Sequence, residues 1–546
     1  MRGGTRPASQ RSMRQHNLAL VMGTVAERGP VSRAAVAGHT GLTRAAVSSL
    51  VDELLAAGLL TELGPAANGR VGRPGSALMV SDRGPAGLGL EVGVEHLGVC
   101  VTDLRGQVRA WTVVDSPNAA LPPAEVLARL SALADDATAD VAGLGLRPVA
   151  AVMAVPGLVA DASGTVGSAP NLGWHDVPVA DLWPGALTPR VENEANLGAL
   201  AELWAHPVAS DFIHVSAESG IGAALVVGGR LFTGARGLAG ELGHMPVHPD
   251  GPPCSCGARG CLEQYAAKAA VLRTAGLPSP SAPTTPGVEP RMTALSPDLG
   301  AAPARQQAAP SGSGDPPATS SGSGGTPADP LYDSGAPGRQ AALPYGVAAG
   351  EAGHREAAPS SGSRGLGAGL PAALPYGPKG VSAEGRATVP DAHEAGLPAV
   401  SSDPGIPVAG LLGDPDAPEA GSQVGPRGSG GRMPGPDGIG LLAARAREGD
   451  ARVVAALEEA GRALGTALAG AVNLLDPAAV VLGGAYAELG EWLVPPIRRE
   501  LAARVTVREW DPEALTVSEL GRRGPLLGAA LATVRSVLED PAALWA

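Results

Sequence analysis

Aromatic side chains are almost missing: Phe, Trp and Tyr together make up 3% of the 546 residues. A chain of this length should hold three or more domains. So few large rings beside 78 glycines and 52 prolines point to a sizeable portion without a packed core. No run of 18 or more apolar residues occurs, which excludes a membrane-spanning helix. The opening MRGGTRPASQRSMRQ lacks the hydrophobic core of a secretory signal, so a cytoplasmic protein is expected. Positive charge is also short: the net charge is −13, and any nucleic-acid-binding part must be local. There are only four cysteines, and in a reducing compartment free thiols suit a metal better than disulfides.

Three of those cysteines fall in one stretch, GARGLAGELGHMPVHPDGPPCSCGARGCLEQY, residues 234–265. The spacing His244-x9-Cys254-x-Cys256-x4-Cys261 is a Cys₃His set that suits a closed tetrahedral zinc site. Gly257 and Gly260 allow the tight turn that returns Cys261 to the metal. A disulfide is the alternative, but three clustered cysteines leave one odd and Cys254 and Cys256 are too close to pair comfortably. Glu241 precedes His244 by three residues and so shares its face on a helical turn. Glu263 follows Cys261 by two and is tied to the same metal. A metal-bound imidazole keeps a second ring nitrogen for a partner. With two carboxylates it forms a cluster suited to sugar hydroxyls; the plain alternative is two surface charges.

The run Glu241-Leu-Gly-His244 followed by Cys254-Ser-Cys256-Gly-x-x-Gly-Cys261-Leu-Glu263 resembles the zinc and sugar-binding signature of the ROK family of repressors, open reading frames and kinases. The resemblance implies that Glu241, His244 and Glu263 contact a sugar and that the histidine also binds zinc. It further implies the actin-like, ribonuclease-H-like fold of sugar kinases, two lobes around a cleft.

The first 80 residues reverse the charge of the whole: nine arginines and no lysine against four acids. Arg14 to Glu27 reads as a helix ending at Gly29-Pro30. Ser32 is placed to cap a short second helix, Arg33 to Ala37, stopped by Gly38, and Thr43 to cap a third running to Ala57 with Gly58 beyond it. This is a helix-turn-helix, with Leu59 to Leu63 and Ser76 to Val80 pairing as a wing. Ser32, Arg33, Thr43, Arg44, Ala45 and Ser48 are then expected at DNA, and Arg70 and Arg73 in the wing loop at a minor groove or phosphates. A helical bundle for protein contacts is the alternative. The family's repressors carry a winged helix-turn-helix at this place and its kinases generally do not.

Beyond residue 82, strands, helices and glycine turns alternate as in an α/β domain. Gly87 to Thr102 alternates as a strand leading into a hairpin at Asp103–Gly106, although Glu91 to Glu95 by itself reads as a plain hairpin, and Pro148 to Val155 reads as a buried strand. Family kinases hold ATP phosphates with Asp-x-Gly-Gly-Thr on the first hairpin, where this chain has Glu91-Val-Gly93-Val94-Glu95. Val94 removes a close backbone approach and Glu95 puts a negative charge where phosphate would sit. Asn171, in Pro170-Asn171-Leu-Gly-Trp174, falls near the sugar by resemblance, or in a turn with a packing tryptophan. Kinases of the family show Asn-Asp with the aspartate as base; here the pair is Asn193-Glu194, both expected at the ligand. One added methylene spoils a reacting geometry, so Glu194 is expected to contact ligand without catalysis.

The domain reading is therefore residues 1–82 a winged helix-turn-helix, 83–275 the first part of the sugar-binding domain, 276–437 an insertion and 438–546 its C-terminal part. The insertion, rich in Pro, Gly, Ser and Ala, is too poor in aromatic and β-branched residues to order itself and is expected to be disordered. The function expected is a sugar-responsive repressor with Zn²⁺, operator DNA and a sugar or sugar derivative as partners, forming a homodimer or homotetramer. The alternative is an ATP-dependent sugar kinase that retains a DNA-binding domain.

Overall fold

The computed structural model describes residues 10–65, 76–160, 164–205, 209–278 and 438–545. Arg70 and Arg73, and the insertion beyond residue 278, lie outside the described residues, and the expectations for them with it.

At the N-terminus α1 (Gln10–Arg28) is followed by β1 (Val31–Ser32), α2 (Arg33–Thr40) and α3 (Arg44–Ala56). The Ser32 hydroxyl accepts from the Ala35 amide at 3.2 Å and the Thr43 hydroxyl from the Ala46 amide at 3.2 Å, the two caps expected. Gly38 does not stop α2. It is exposed, and a helical glycine costs only about 1 kcal/mol. The helix ends instead at Gly41, whose φ of 71° is the left-handed conformation that closes helices. β2 (Leu60–Pro65) and β3 (Ser76–Val80) join β1 in an antiparallel sheet of order β1-β3-β2, the wing.

The next part comprises β4 (Gly84–Val92), β5 (His96–Asp103), β6 (Val108–Asp115), α4 (Pro123–Ala142), β7 (Leu146–Val155), β8 (Leu158–Ala160), β9 (Thr165–Ala169), β10 (Trp174–Pro178), α5 (Val179–Leu182), β11 (Arg190–Asn193) and α6 (Glu194–Ala205). The stretch 87–102 is two strands joined by the hairpin at 91–95, not a continuous strand, because the chain reverses at Gly93 and the Gly93 amide donates to the His96 carbonyl at 3.0 Å. Alternation misleads here because β4 is buried on both faces and carries no solvent side to mark its end.

The chain continues through β12 (Phe212–Ala217), β13 (Ile221–Val227), β14 (Arg230–Phe232), α7 (Glu263–Ala266), α8 (Lys268–Thr274), α9 (Gly438–Arg447), α10 (Ala451–Leu475), β15 (Ala479–Gly484), α11 (Gly490–Arg504), β16 (Leu515–Val517) and α12 (Gly524–Glu539). The two five-stranded sheets share one plan. The first has the order β6-β5-β4-β7-β11 and the second β14-β13-β12-β15-β16. In each, an antiparallel meander of three strands continues into two parallel ones. This duplicated order is the two-lobed, ribonuclease-H-like architecture. α4 supplies the first lobe's core and α10 the second's. Among the described residues no helix is long and apolar enough to cross a membrane.

Candidate metal centre and ligand cleft

The segment between β14 and α7 carries the candidate ligands and lies directly on β13. Two glycines make that approach feasible. A Cβ on Gly240, whose φ is 110°, would stand 2.1 Å from the Ala223 carbonyl oxygen, and one on Gly243 2.3 Å from that of Ile221. A single 3₁₀ turn, Leu242–His244, then presents His244, and the chain returns through Cys254 and Cys256 to Cys261, where Pro246 bridges to Cys261.

One ligand atom from each of His244, Cys254, Cys256 and Cys261 lies within 4.8 Å of every other. The His244 Nδ1 to Cys254 Sγ distance is 3.7 Å and Cys256 Sγ to Cys261 Sγ 3.6 Å. A tetrahedral ion with bonds of about 2.3 Å separates its ligands by roughly 3.8 Å, so the donor set fits a metal. All four cysteines are free. Without an ion the thiols oppose one another: burial, then Cys256 and Cys254, push Cys261 up to about 12. Burial also works to raise Cys254, but the Cys256 amide, then the Cys256, His244 and Cys261 side chains, hold it at about 7. A bound dication turns that repulsion into attraction.

The imidazole divides its two nitrogens. Nδ1 faces the thiols and lies 4.0 Å from Glu263, while Nε2 faces Glu241 at 3.9 Å. Glu263 is fixed from behind, accepting from the Ile221 amide at 2.9 Å. Burial, then Glu263, raise the Glu241 carboxyl against the lowering effect of His244. Gly220, at the β12–β13 turn, has room for no side chain, since its Cβ would meet Glu263 at 2.5 Å and Asn171 Nδ2 at 3.2 Å. Asn171, Glu241, His244 and Glu263 are therefore neighbours. Trp174, by contrast, is buried core.

Asn193 lies close by but its side chain is engaged: it donates to the Gly157 carbonyl at 2.8 Å and accepts from the Ala195 amide at 2.8 Å, capping α6. A cavity of about 30 Å³ between the lobes is lined by Gly157, Asn193, Gly222, Gly240 and Glu241. A larger one of about 420 Å³ is remote from this chemistry, beside Glu53, Arg147 and Trp545.

Glu194, half-buried at the start of α6, is raised to about 8 by burial, then by the carboxylates of Glu91 and Glu218. Burial opposes a charge on His96, but contact with Glu91 at 3.4 Å, then Glu218 and Glu194, raise it to about 9. Glu95 is paired at 2.8 Å with Lys268 on α8, a contact joining the first hairpin to the second lobe, and Lys268 is one of only two lysines in the chain. Arg522 pairs with Glu218 at 2.9 Å. His96, Glu218, Lys268 and Arg522 went unnoticed in the sequence because each lies in a different segment, with no spacing to link them. The rarity of lysine was the one available signal.

In the head, the first turn of α3 is open: Thr43, Arg44 and Ala45 are exposed and Ser48 half-buried. Arg44 has no partner among the described residues. Arg33 is held between Asp52 at 2.6 Å and Glu62 at 2.9 Å, and the Ser32 hydroxyl is used as a cap.

A duplicated α/β fold with a metal-ready cleft and a winged helical head defines a class of two-lobed, kinase-like folds with an added N-terminal module. The sequence profile of the ROK family matches residues 87–287 and 440–535, more than half of the chain, and the protein belongs to that family. The putative xylose repressor of Caldicellulosiruptor sp. (strain Rt8B.4) is 33% identical over 264 residues, covering 48% of this chain and 66% of that protein. The xylose repressor of Bacillus subtilis (strain 168) is 29% identical over 273 residues, covering 49% and 70%. The glucokinase of Thermotoga maritima is 39% identical over 123 residues, covering 22% and 39%. The chain thus spans just under two thirds of the length of the first of these relatives. The crystal structure of a ROK family transcriptional regulator, a homolog of the E. coli MLC protein, shares the fold with a TM-score of 0.57 at 20% identity, covering 97% of both chains.

Proposed function

We propose that this chain is a sugar-responsive transcriptional repressor that holds Zn²⁺ on His244, Cys254, Cys256 and Cys261. The observation that carries the reading is the split imidazole of His244, with one nitrogen turned to three thiols and the other to Glu241. Zinc, when bound, fixes the ring's tautomer and orientation. The ring then offers Nε2 to a hydroxyl, while Glu241, Glu263 and Asn171 accept or donate around it. Carboxylates and amides rather than an apolar lining suit a polyhydroxylated ligand. The repressor relatives support this, and the open first turn of α3, with Arg44 unpaired among the described residues, supports operator DNA as the second partner.

Phosphoryl transfer is not part of the proposal. Glu194 shares its surroundings with Glu91 and Glu218, and the cations there, His96 and Arg522, are already engaged by these carboxyl groups rather than left for a phosphate. The turn at 93–95 holds its charge in the Glu95–Lys268 pair.

Selection of duplexes from a random library by the full chain should enrich a pseudo-palindromic site, and titration with D-xylose, D-glucose and their phosphates should lower the affinity for it. Arg44→Ala should weaken that binding by about 1–3 kcal/mol while leaving sugar affinity unchanged. Turnover of ATP with any of these sugars would replace the repressor by the kinase.

A further inference from the structure

The winged head does not close its own core. Leu18, Met22, Val47 and Leu54 of its helices belong to one buried apolar cluster with Val534, Val537 and Leu538 of α12 and with Leu104 of the β5–β6 turn. The single turn Pro541–Trp545 beyond α12 continues the same cluster through Ala542. The β5–β6 turn adds polar ties: Arg105 donates to the Val80 carbonyl at 2.7 Å and pairs with Asp82 at 3.3 Å. Residues 536–545 lie past the segment that the family profile matches.

The other end of α12 is locked to the cleft, backbone against backbone. A Cβ on Gly528 would stand 1.9 Å from the Leu197 carbonyl oxygen of α6, and one on Gly89 of β4 2.6 Å from the Ala530 amide nitrogen. Neither contact has a flexible side chain that could yield. α6 itself begins at Glu194 and is capped by Asn193, and β4 carries Glu91 near its end, so both partners of α12 lead into the ligand cleft.

We propose that α12 is a rigid strut: by completing the core of the head at one end and gripping α6 and β4 at the other, it makes the position of the DNA-reading helix depend on the state of the cleft. Interiors packed at this density pass a displacement on rather than absorb it. The regulatory meaning rests on the sugar-and-operator reading above; the mechanical linkage does not.

Hydrogen exchange of the full chain, without ligand, tests the linkage separately. Leu538→Ala should raise amide exchange in α1 and α3 at least tenfold and leave β12, β13 and β15 unchanged. Unaltered protection of α1 and α3 in a folded variant would overturn the shared core. Gly528→Ala, which wedges α12 off α6, should raise exchange in the same two head helices. Increased exchange confined to α6 and α12 would overturn the transmission. Leu197→Ala, which removes the α6 side chain clustered with Ala529 and Ala532 of α12, serves if Gly528→Ala does not fold. Because no sugar enters, failure here leaves the sugar reading intact, and absence of any sugar binding in a titration leaves the strut intact.

Discussion

The two sheets have the same strand order, yet they treat a buried histidine in opposite ways. His96, at the start of β5 in the first sheet, faces Glu91, Glu194 and Glu218 and is raised to about 9. His214, in β12 of the second, lies buried against Gly198 and Gly483, its Nδ1 without a hydrogen-bond partner among the described residues, and is lowered to about 4 by burial. Topology therefore specifies where a strand runs, while the neighbouring side chains decide whether charge is stabilised there. The same division holds for function. The second lobe builds the Cys₃His loop on β13, while Glu91 of the first hairpin meets Glu194 and Glu218 at the cleft.

The largest effect should come from the Cys₃His loop proposed to hold zinc, which has no counterpart in the first lobe among the described residues. Cys256→Ala should reduce bound zinc, measured by elemental analysis, from one ion per chain to near none. It should also make thermal unfolding insensitive to added chelator. A structural zinc commonly contributes on the order of 10 kcal/mol, so partial unfolding of residues 234–265 is expected. Retention of stoichiometric zinc by this variant would remove the ligand assignment.

The two histidines give the next contrast. The folded state of His96 binds its proton more tightly than the unfolded chain, near 6.5. Its contribution is full below pH 6.5 and is lost as pH rises through about 9. For His214 the sign is reversed: its contribution is full above pH 6.5 and is lost as pH falls towards 4. At about 1.4 kcal/mol per unit, each is worth on the order of 3 kcal/mol. Denaturant unfolding from pH 4 to 10 should show His214→Gln flattening the acid limb and His96→Gln the alkaline limb. Equal effects of both on one limb would erase the contrast.

The smallest effect concerns the tie between the lobes. Lys268 is only 8% exposed, whereas Glu95 is about half exposed. Glu95→Gln, which strands a buried cation, should therefore cost about 1–2 kcal/mol, and Lys268→Met less than about 1 kcal/mol. Matched urea titrations would show the asymmetry, and a larger loss for Lys268→Met would mean the pair is not governed by desolvation.

How much of this was legible in the residues depended on range. The caps at Ser32 and Thr43 follow from local chemistry and were readable. So was the gathering of His244 with three cysteines, because the four lie within 18 residues of one another and their spacing carries the geometry. The stop placed at Gly38 was wrong because an exposed helical glycine is cheap and Gly41 has the left-handed conformation that ends the helix. The break at Gly93 was legible as a hairpin at 91–95 but not from the alternation, because a strand buried on both faces has none to interrupt.

By itself the chain of residues determined the helix caps, the turns and a ligand set whose members are neighbours in sequence, since these depend on contacts a few residues apart. Only the tertiary structure decided which charges meet. Glu95 and Lys268 are 173 residues apart, and Glu218 and Arg522 are 304 apart. Likewise, only folding could show that the head borrows the last turns of α12 for its core, because apolar periodicity marks a buried face without saying which domain will cover it.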